Sequence, residues 1–125
     1  MTENEISQIL IGIFIKVHSK LGPGLLESVY EAAICYELGK LGLKYRRQAG
    51  IEVWYEEVKL DLGFRADILV EEKVIVEVKS VETLTPVFFK TLLTYLRLSG
   101  KKLGLMANFN VSLMRNGIKR VVNDL

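Results

Sequence analysis

Residues 74–79 read Val-Ile-Val-Glu-Val-Lys, a strand in which two charges interrupt an otherwise β-branched run. Thr85-Pro86 follows, a capping residue with proline at the first helical position, and it opens an apolar helical stretch that Gly100 closes. A second compact apolar run, Leu103 to Phe109, comes next and reads as a buried strand. Strand, helix and strand at this spacing form a βαβ unit, which lays the strand at 103 parallel to the one at 74. This unit sets the chain in the α/β class.

The segments around it fill in the rest of a sheet. Val, Ile, Tyr and Trp dominate residues 43–81, with alternation over Ile51 to Tyr55, Leu60 to Val70 and Val74 to Val81. The connections Glu56-Glu57 and Glu71-Glu72-Lys73 are too short for a crossover, so these three strands are predicted to be antiparallel neighbours. Before them, Thr2 and Glu5 form a capping-box pattern. Ile6, Ile9, Leu10, Ile13, Phe14 and Val17 then fall on one helical face. Gly22-Pro23-Gly24 ends that helix, a second runs from about Leu25 to Leu41, and Gly42 stops it. Asn116-Gly117 signals a tight turn before a short last strand, Ile118 to Val122. The expected architecture is α-α-β-β-β-α-β-β, a mixed sheet with flanking helices in one domain spanning residues 1–125.

Composition narrows the chemistry. Seventeen Lys and Arg against fifteen Asp and Glu leave a formal charge of +2, too small for binding nucleic acid by charge alone. The single Cys35 excludes an internal disulfide and a cysteine-built zinc site, and the single His18 excludes a histidine cluster. Carboxylates, lysines and hydroxyls remain. The run Ile9 to Ile15 is bracketed by Glu3, Glu5, Lys16 and Lys20, well short of the ~20 apolar residues of a membrane span. The start is acidic, unlike a signal peptide, so a cytoplasmic location without membrane contact is expected.

Alternation along the strand at 74 turns Val74, Val76 and Val78 to the core and puts Ile75, Glu77 and Lys79 on the other face. Asp67, on the preceding strand, arrives beside Glu77 if the hairpin connection counts three residues, Glu71 to Lys73, or if a bulge intervenes. A two-residue turn would set it opposite Val76 instead. Two carboxylates, with the Val78 carbonyl between Glu77 and Lys79, make a half-cage for a hard cation such as Mg²⁺ or Mn²⁺. A bound metal ion activates water, and a lysine beside it can position that water or hold a phosphate oxygen. Taken alone, Glu-x-Lys is among the commonest patterns of an exposed strand face and reads as a solvated cross-strand charge pair. The apolar setting of both strands favours the chemical reading, because charges there are partly buried.

Gly24-Leu25-Leu26-Glu27-Ser28-Val29-Tyr30 matches Gly-x-x-Glu-x-x-Tyr, and the chain resembles the GxxExxY protein family over nearly its whole length. Val17-His18, Leu21 to Gly24, Asp67, Val76 to Lys79, Leu92 to Leu96, Asn108-Phe109 and Gly117 to Arg120 carry the likeness in order and spacing. The family is placed in the PD-(D/E)XK nuclease-like superfamily. The resemblance therefore implies a restriction-endonuclease-like core, a metal-site triad of Asp67, Glu77 and Lys79, and Glu27 as the acid supplied by a helix. On the helix after the Glu-x-Lys strand, relatives carry a polar His and Gln; Phe88 and Thr91 stand there in this chain.

Other residues rank lower. Lys90, Lys119 and Arg120 are candidates for phosphate contact, with Lys44, Arg46, Arg47 and Lys101-Lys102 as weaker clusters. Trp54 and Tyr55 offer rings for base stacking, although alternation predicts that one of them packs in the core. His18 and Cys35 read as structural. The expected function is Mg²⁺-dependent (or Mn²⁺-dependent) hydrolysis of phosphodiester bonds in DNA, with RNA second. Nucleic acid is the expected partner and a homodimer the expected assembly. The alternative is a nuclease-like fold that binds nucleic acid or protein without cutting.

Overall fold

The computed structural model describes residues 1–125, with the side chains of Asp61 and Leu62 outside that description. Two helices come first, α1 (Glu3–Leu21) and α2 (Glu27–Lys40), followed by strands β1 (Tyr45–Tyr55), β2 (Val58–Val70) and β3 (Val74–Lys79). Helix α3 (Pro86–Ser99) leads to β4 (Leu103–Asn108), a 3₁₀ turn at Met114–Asn116 and β5 (Ile118–Val122). The strands form one five-stranded sheet in the order β1-β2-β3-β4-β5. Only the β3–β4 pair is parallel; its ladder runs from Val74↔Leu103 to Lys79↔Asn108. The crossover from β3 through α3 to β4 is thus the βαβ unit expected from the sequence.

Strand alternation builds two cores, one on each face of this sheet. Val74, Val76 and Val78 of β3 meet Leu103, Leu105 and Ala107 of β4 beneath α1 and α2, which contribute Ile6, Leu10, Phe14, Tyr30 and Ile34. On the opposite face Ile75 and Met106 pack with Leu92 and Leu96 of α3, and with Ala49, Ile51 and Ala66 of the first hairpin. Each such side chain contributes roughly 1.5–3 kcal/mol by leaving water. The fold is therefore helices, sheet, helix in three layers. Glu77 and Lys79 share the parity of Ile75, so they lie on the α3 face.

Local chemistry explains the helix boundaries. The capping box forms in both directions: Glu5 N–H donates to Thr2 Oγ1 (3.1 Å) and Thr2 N–H to Glu5 Oε1 (2.8 Å). Helix α2 starts two residues later than the sequence suggests, with Leu26 at its N-cap and no side-chain cap bond. What fixes the turn before it is Tyr30, whose hydroxyl donates to Gly22 O (2.6 Å) and accepts from Leu25 N–H (3.0 Å). Gly24 supplies the left-handed backbone there, at φ 91°.

Two expectations need correction. The first strand begins at Tyr45 rather than Ile51, because its N-terminal third pairs with Ile68 to Val70. The tight turn expected at Asn116-Gly117 is a 3₁₀ turn leading into β5, and Gly117 is needed there because a Cβ would run into Asn108 O. Trp54 and Tyr55 are both exposed, at 52% and 65%, so neither enters the core. The hairpin tip carrying them extends past β3, which pairs only with the last three residues of β2, so β3 does not flank them.

Candidate active site

The register of β2 against β3 decides whether the two acids can meet. Val70 pairs with Val74 and Ile68 with Val76, so the connection is the three-residue Glu71 to Lys73, and Asp67 stands opposite Glu77. Glu71 and Glu72 adopt left-handed backbone (φ 54° and 55°), and Lys73 N–H returns to Val70 O at 3.0 Å. That connection brings the two acids together just beyond the end of the β2–β3 ladder.

Asp67 sits where the alternation of β2 breaks. Ala66 packs in the α3-side core and Ile68 in the α1–α2 core, two residues that a regular strand would put on one face. Opposite, between the pairs Arg47↔Ile68 and Ala49↔Ala66, Gln48 takes left-handed backbone at φ 50°, uncommon for a residue other than glycine or asparagine. Both strands switch faces at this step, and β2 leaves β3. Where β2 departs, Asp67 Oδ2 accepts the Val78 N–H at 2.8 Å, taking the place of a ladder bond. Lys79 O accepts from Phe109 N–H on the β4 side (2.9 Å), so the polar backbone groups of Val78, one residue earlier, face β2 and Asp67.

Glu77 is buried to 9% exposure, and its Oε1 finds no hydrogen-bond partner. Burial, reinforced by the Asp67 carboxylate beside it, pushes its acid up to about 8. Lys79 opposes this only in part. Desolvation outweighs the repulsion between the two carboxylates. The Lys79 ammonium lies over the Phe88 ring, 4.8 Å from its centroid, a cation–π contact. Phe88 and Thr91, which replace the polar pair of the family pattern, line the cleft beside Glu77 and Lys79.

Helix α2 brings acids to this edge. Glu27 Oε2 accepts the Ser80 N–H at 3.0 Å, and Ser80 Oγ donates to Leu25 O at 2.8 Å. The first turn of α2 is thereby fastened to the residue that follows Lys79. Gly, Glu and Tyr of the heptapeptide thus act as one clasp: Gly24 turns the chain, Tyr30 pins the turn, and Glu27 joins it to β3. One helical turn on, Glu31 is buried to 5% exposure. It pairs with Arg47 Nε at 2.6 Å and accepts Gln48 Nε2 at 3.1 and 3.0 Å. The same Gln48 nitrogen lies 3.4 Å from Asp67 Oδ1, so a continuous polar line runs from α2 through Gln48 to Asp67.

Glu31 and Gln48 were not among the sequence candidates. Glu31 follows Tyr30 at i+4 from Glu27 and was open to detection as a second acid on one helix face. Nothing in a single sequence marks Gln48. Of the basic candidates, Lys119 pairs opposite Met106 and lies exposed on the α3 side of the sheet, and Lys90 is exposed on α3. Arg120 faces α1 instead, donating to Ser7 Oγ (3.3 Å) and to Asn4 Oδ1. His18 is held through Nε2 by Val111 O at 2.7 Å, and Cys35 is a buried thiol that burial pushes up to about 11. Both are structural.

Among the described residues, no three His, Cys, Asp or Glu side chains converge closely enough to hold a metal by themselves. The donor set is two carboxylates, Asp67 and Glu77, with the Val78 backbone beside them. That set suits Mg²⁺, which keeps several waters and binds through one or two carboxylates. The buried, unpartnered Glu77 Oε1 is the position that a cation would satisfy.

A mixed sheet whose splaying antiparallel pair sets an aspartate opposite a Glu-x-Lys strand defines the restriction-endonuclease-like class of α/β domains. The comparison with family models agrees: the PD-(D/E)XK nuclease superfamily model matches residues 4–121, and the chain belongs to that superfamily. No curated protein and no solved structure gives a significant match. None of the helices described is long and apolar enough to cross a membrane.

Proposed function

We propose that the protein is a metal-dependent nuclease that hydrolyses phosphodiester bonds of DNA, with RNA the less favoured substrate, in the cytoplasm. The observation that carries this reading is the buried, unpartnered Glu77 carboxyl set beside Asp67, with Lys79 next on the same strand face. Asp67, Glu77 and the Val78 carbonyl would hold Mg²⁺ or Mn²⁺. When bound, the ion supplies a polarised water and neutralises charge developing on the phosphate. Lys79 then holds a phosphate oxygen or orients the attacking water, and Phe88 limits where its ammonium can go. Gln48 and Glu31 hold Asp67 in place, and Glu27 holds the backbone that follows Lys79. Lys90 and Lys119 extend a basic approach on the α3 side. Arg120 contributes through α1 packing unless substrate draws it away. All these groups come from one chain, so a homodimer would duplicate the site without completing it.

A second reading, a binding module that no longer cuts, draws on one observation: the Lys79 ammonium rests over the Phe88 ring. Incubation with single-stranded, duplex and branched DNA in Mg²⁺, Mn²⁺ or EDTA separates the two. The nuclease reading expects metal-dependent cleavage that Lys79→Ala abolishes. Tight binding without cleavage under any metal would establish the second reading.

A further inference from the structure

A cleft of about 300 Å³ opens between α3 and the sheet, with the Glu77 carboxyl in its lining. Glu77 and Lys79 line it with Arg65, Phe88, Thr91 and Tyr95, and Val87, Leu92 and Met106 add aliphatic wall. Small-molecule sites span ~300–1,000 Å³, so this space suits one planar group and little more. Phe88, Thr91 and Tyr95 are spaced i, i+3, i+7 and present one face of α3. Tyr95 is fixed from behind by stacking on Phe64, with centroids 3.7 Å apart and planes within 6°. Arg65 is anchored through Nη1 to Gln48 O at 3.0 Å, which leaves its remaining donors at the rim. The walls therefore include two aromatic rings, Phe88 with the Lys79 ammonium over its face and Tyr95 stacked on Phe64, with the Arg65 guanidinium among the lining groups. A buried carboxyl oxygen without a partner lies at the inner end.

We propose that this cleft receives a single unpaired nucleobase, next to the phosphate that the carboxylates and Lys79 address. The proposal rests on the nuclease reading for the position of that phosphate and extends it to the form of the substrate. A base stacks on aromatic walls whatever its sequence, because every base has a π-face, and a cationic rim accommodates the flanking backbone. A base inside a duplex is paired and stacked, so it must be extruded before it can enter. A single strand or a bulge offers the base at no such cost. Unpaired DNA, rather than perfect duplex, is the substrate form that this geometry selects.

The test compares one DNA sequence as single strand, perfect duplex and duplex with a one-nucleotide bulge, by fluorescence anisotropy in EDTA so that nothing is cut. A 2-aminopurine placed at the bulge reports stacking of the unpaired base. The expected result is binding of single-stranded and bulged DNA about tenfold tighter than duplex, the scale of one base–aromatic stack. The expected signal is a change in 2-aminopurine emission on binding. Thr91→Trp, at an exposed helix position, fills the cleft and should erase both the preference and the signal; Phe88→Leu should weaken both. Equal affinity for the three DNAs, or a preference that survives Thr91→Trp, overturns the proposal. A parallel cleavage assay in Mg²⁺ separates the two readings. Cutting of all three DNAs without any binding preference would retain the nuclease and remove the base site. Preference without cutting would retain the base site and remove the nuclease.

Discussion

Glu77 gives the most direct physical test of the site, because its burial makes folding depend on pH in a calculable way. Its acid lies at about 8 in the folded protein against an ordinary 4.5. The folded state therefore keeps a proton that the unfolded chain releases. This contribution to stability is fully present below pH 4.5 and is lost progressively as pH rises to about 8. Each pH unit in that window costs about 1.4 kcal/mol, so the native protein loses roughly 4 kcal/mol between about pH 5 and pH 9 from this one group. Glu77→Gln keeps the shape and removes the titration. The difference between the two proteins isolates Glu77, since most other groups titrate alike in both. Urea denaturation in EDTA should show the variant gaining on the native chain by about 4 kcal/mol across the range, or roughly 2 M in midpoint. Near neutral pH the variant should already be ahead by about 3 kcal/mol. Parallel stability curves would refute the reasoning and would mean that Glu77 ionises in the folded state without penalty, as a solvated surface acid does.

Other perturbations probe the neighbours. Excess Mg²⁺ or Mn²⁺ should raise the melting point of the native protein, by the equivalent of about 2.7 kcal/mol at a hundredfold excess over Kd, and leave Asp67→Asn unmoved; equal shifts in both proteins would place the ion elsewhere. Gln48→Gly relieves the left-handed backbone and removes the amide beside Asp67, so urea midpoints should stay within about 1 kcal/mol while DNA cleavage falls tenfold or more. Arg47→Ala strips the partner from buried Glu31 and should cost about 1–3 kcal/mol, recovered in part when Glu31→Gln is added, as a double-mutant denaturation cycle would show. Glu27→Gln keeps an oxygen for the Ser80 amide, so it should melt and cleave like the native chain, whereas Glu27→Ala loses the clasp and should cleave poorly; equal cleavage by all three proteins in the DNA assay would remove Glu27 from the site.

How much of this was legible beforehand differs between fold and site. The βαβ unit, the antiparallel hairpin and both helix-rich faces follow from period and punctuation, because Val74-Ile75-Val76 and Leu103 to Phe109 are long enough to be only buried strands. The end of that hairpin was not legible. Trp54 and Tyr55 obey strand alternation, yet alternation fixes only which way a side chain points. Whether another element lies there to cover it depends on β3 being short. The same limit hid the break at Asp67. Period-2 reasoning puts residues 66 and 68 on one face, and the switch that sends them to opposite cores arises from Gln48, on another strand, adopting φ 50°.

That switch also explains why Glu31, Asp67 and Glu77, far apart in sequence, lie along one polar edge. A regular β2 would continue alongside β3, and the Val78 amide would bond backbone, leaving Asp67 as a surface carboxylate. Because the hairpin rolls at Gln48 and Asp67, β2 leaves β3 and the aspartate turns to the vacated amide, 2.8 Å away. The same divergence exposes the end of β3, and the heptapeptide clasp fastens α2 there through Glu27 and Ser80. Helix α2 can then extend Glu31 to Gln48, the residue that began the roll. The polar line therefore closes on its own cause: Glu31 stabilises the strained residue that opens the gap, and the gap is where Asp67 and Glu77 meet. Local reading of the sequence finds each acid separately. Only the loop of contacts from α2 to β1 to β2 to β3 explains why burying them together is tolerated, since Arg47, Gln48 and the Val78 amide each satisfy a carboxylate oxygen and leave Glu77 Oε1 as the buried oxygen without a partner.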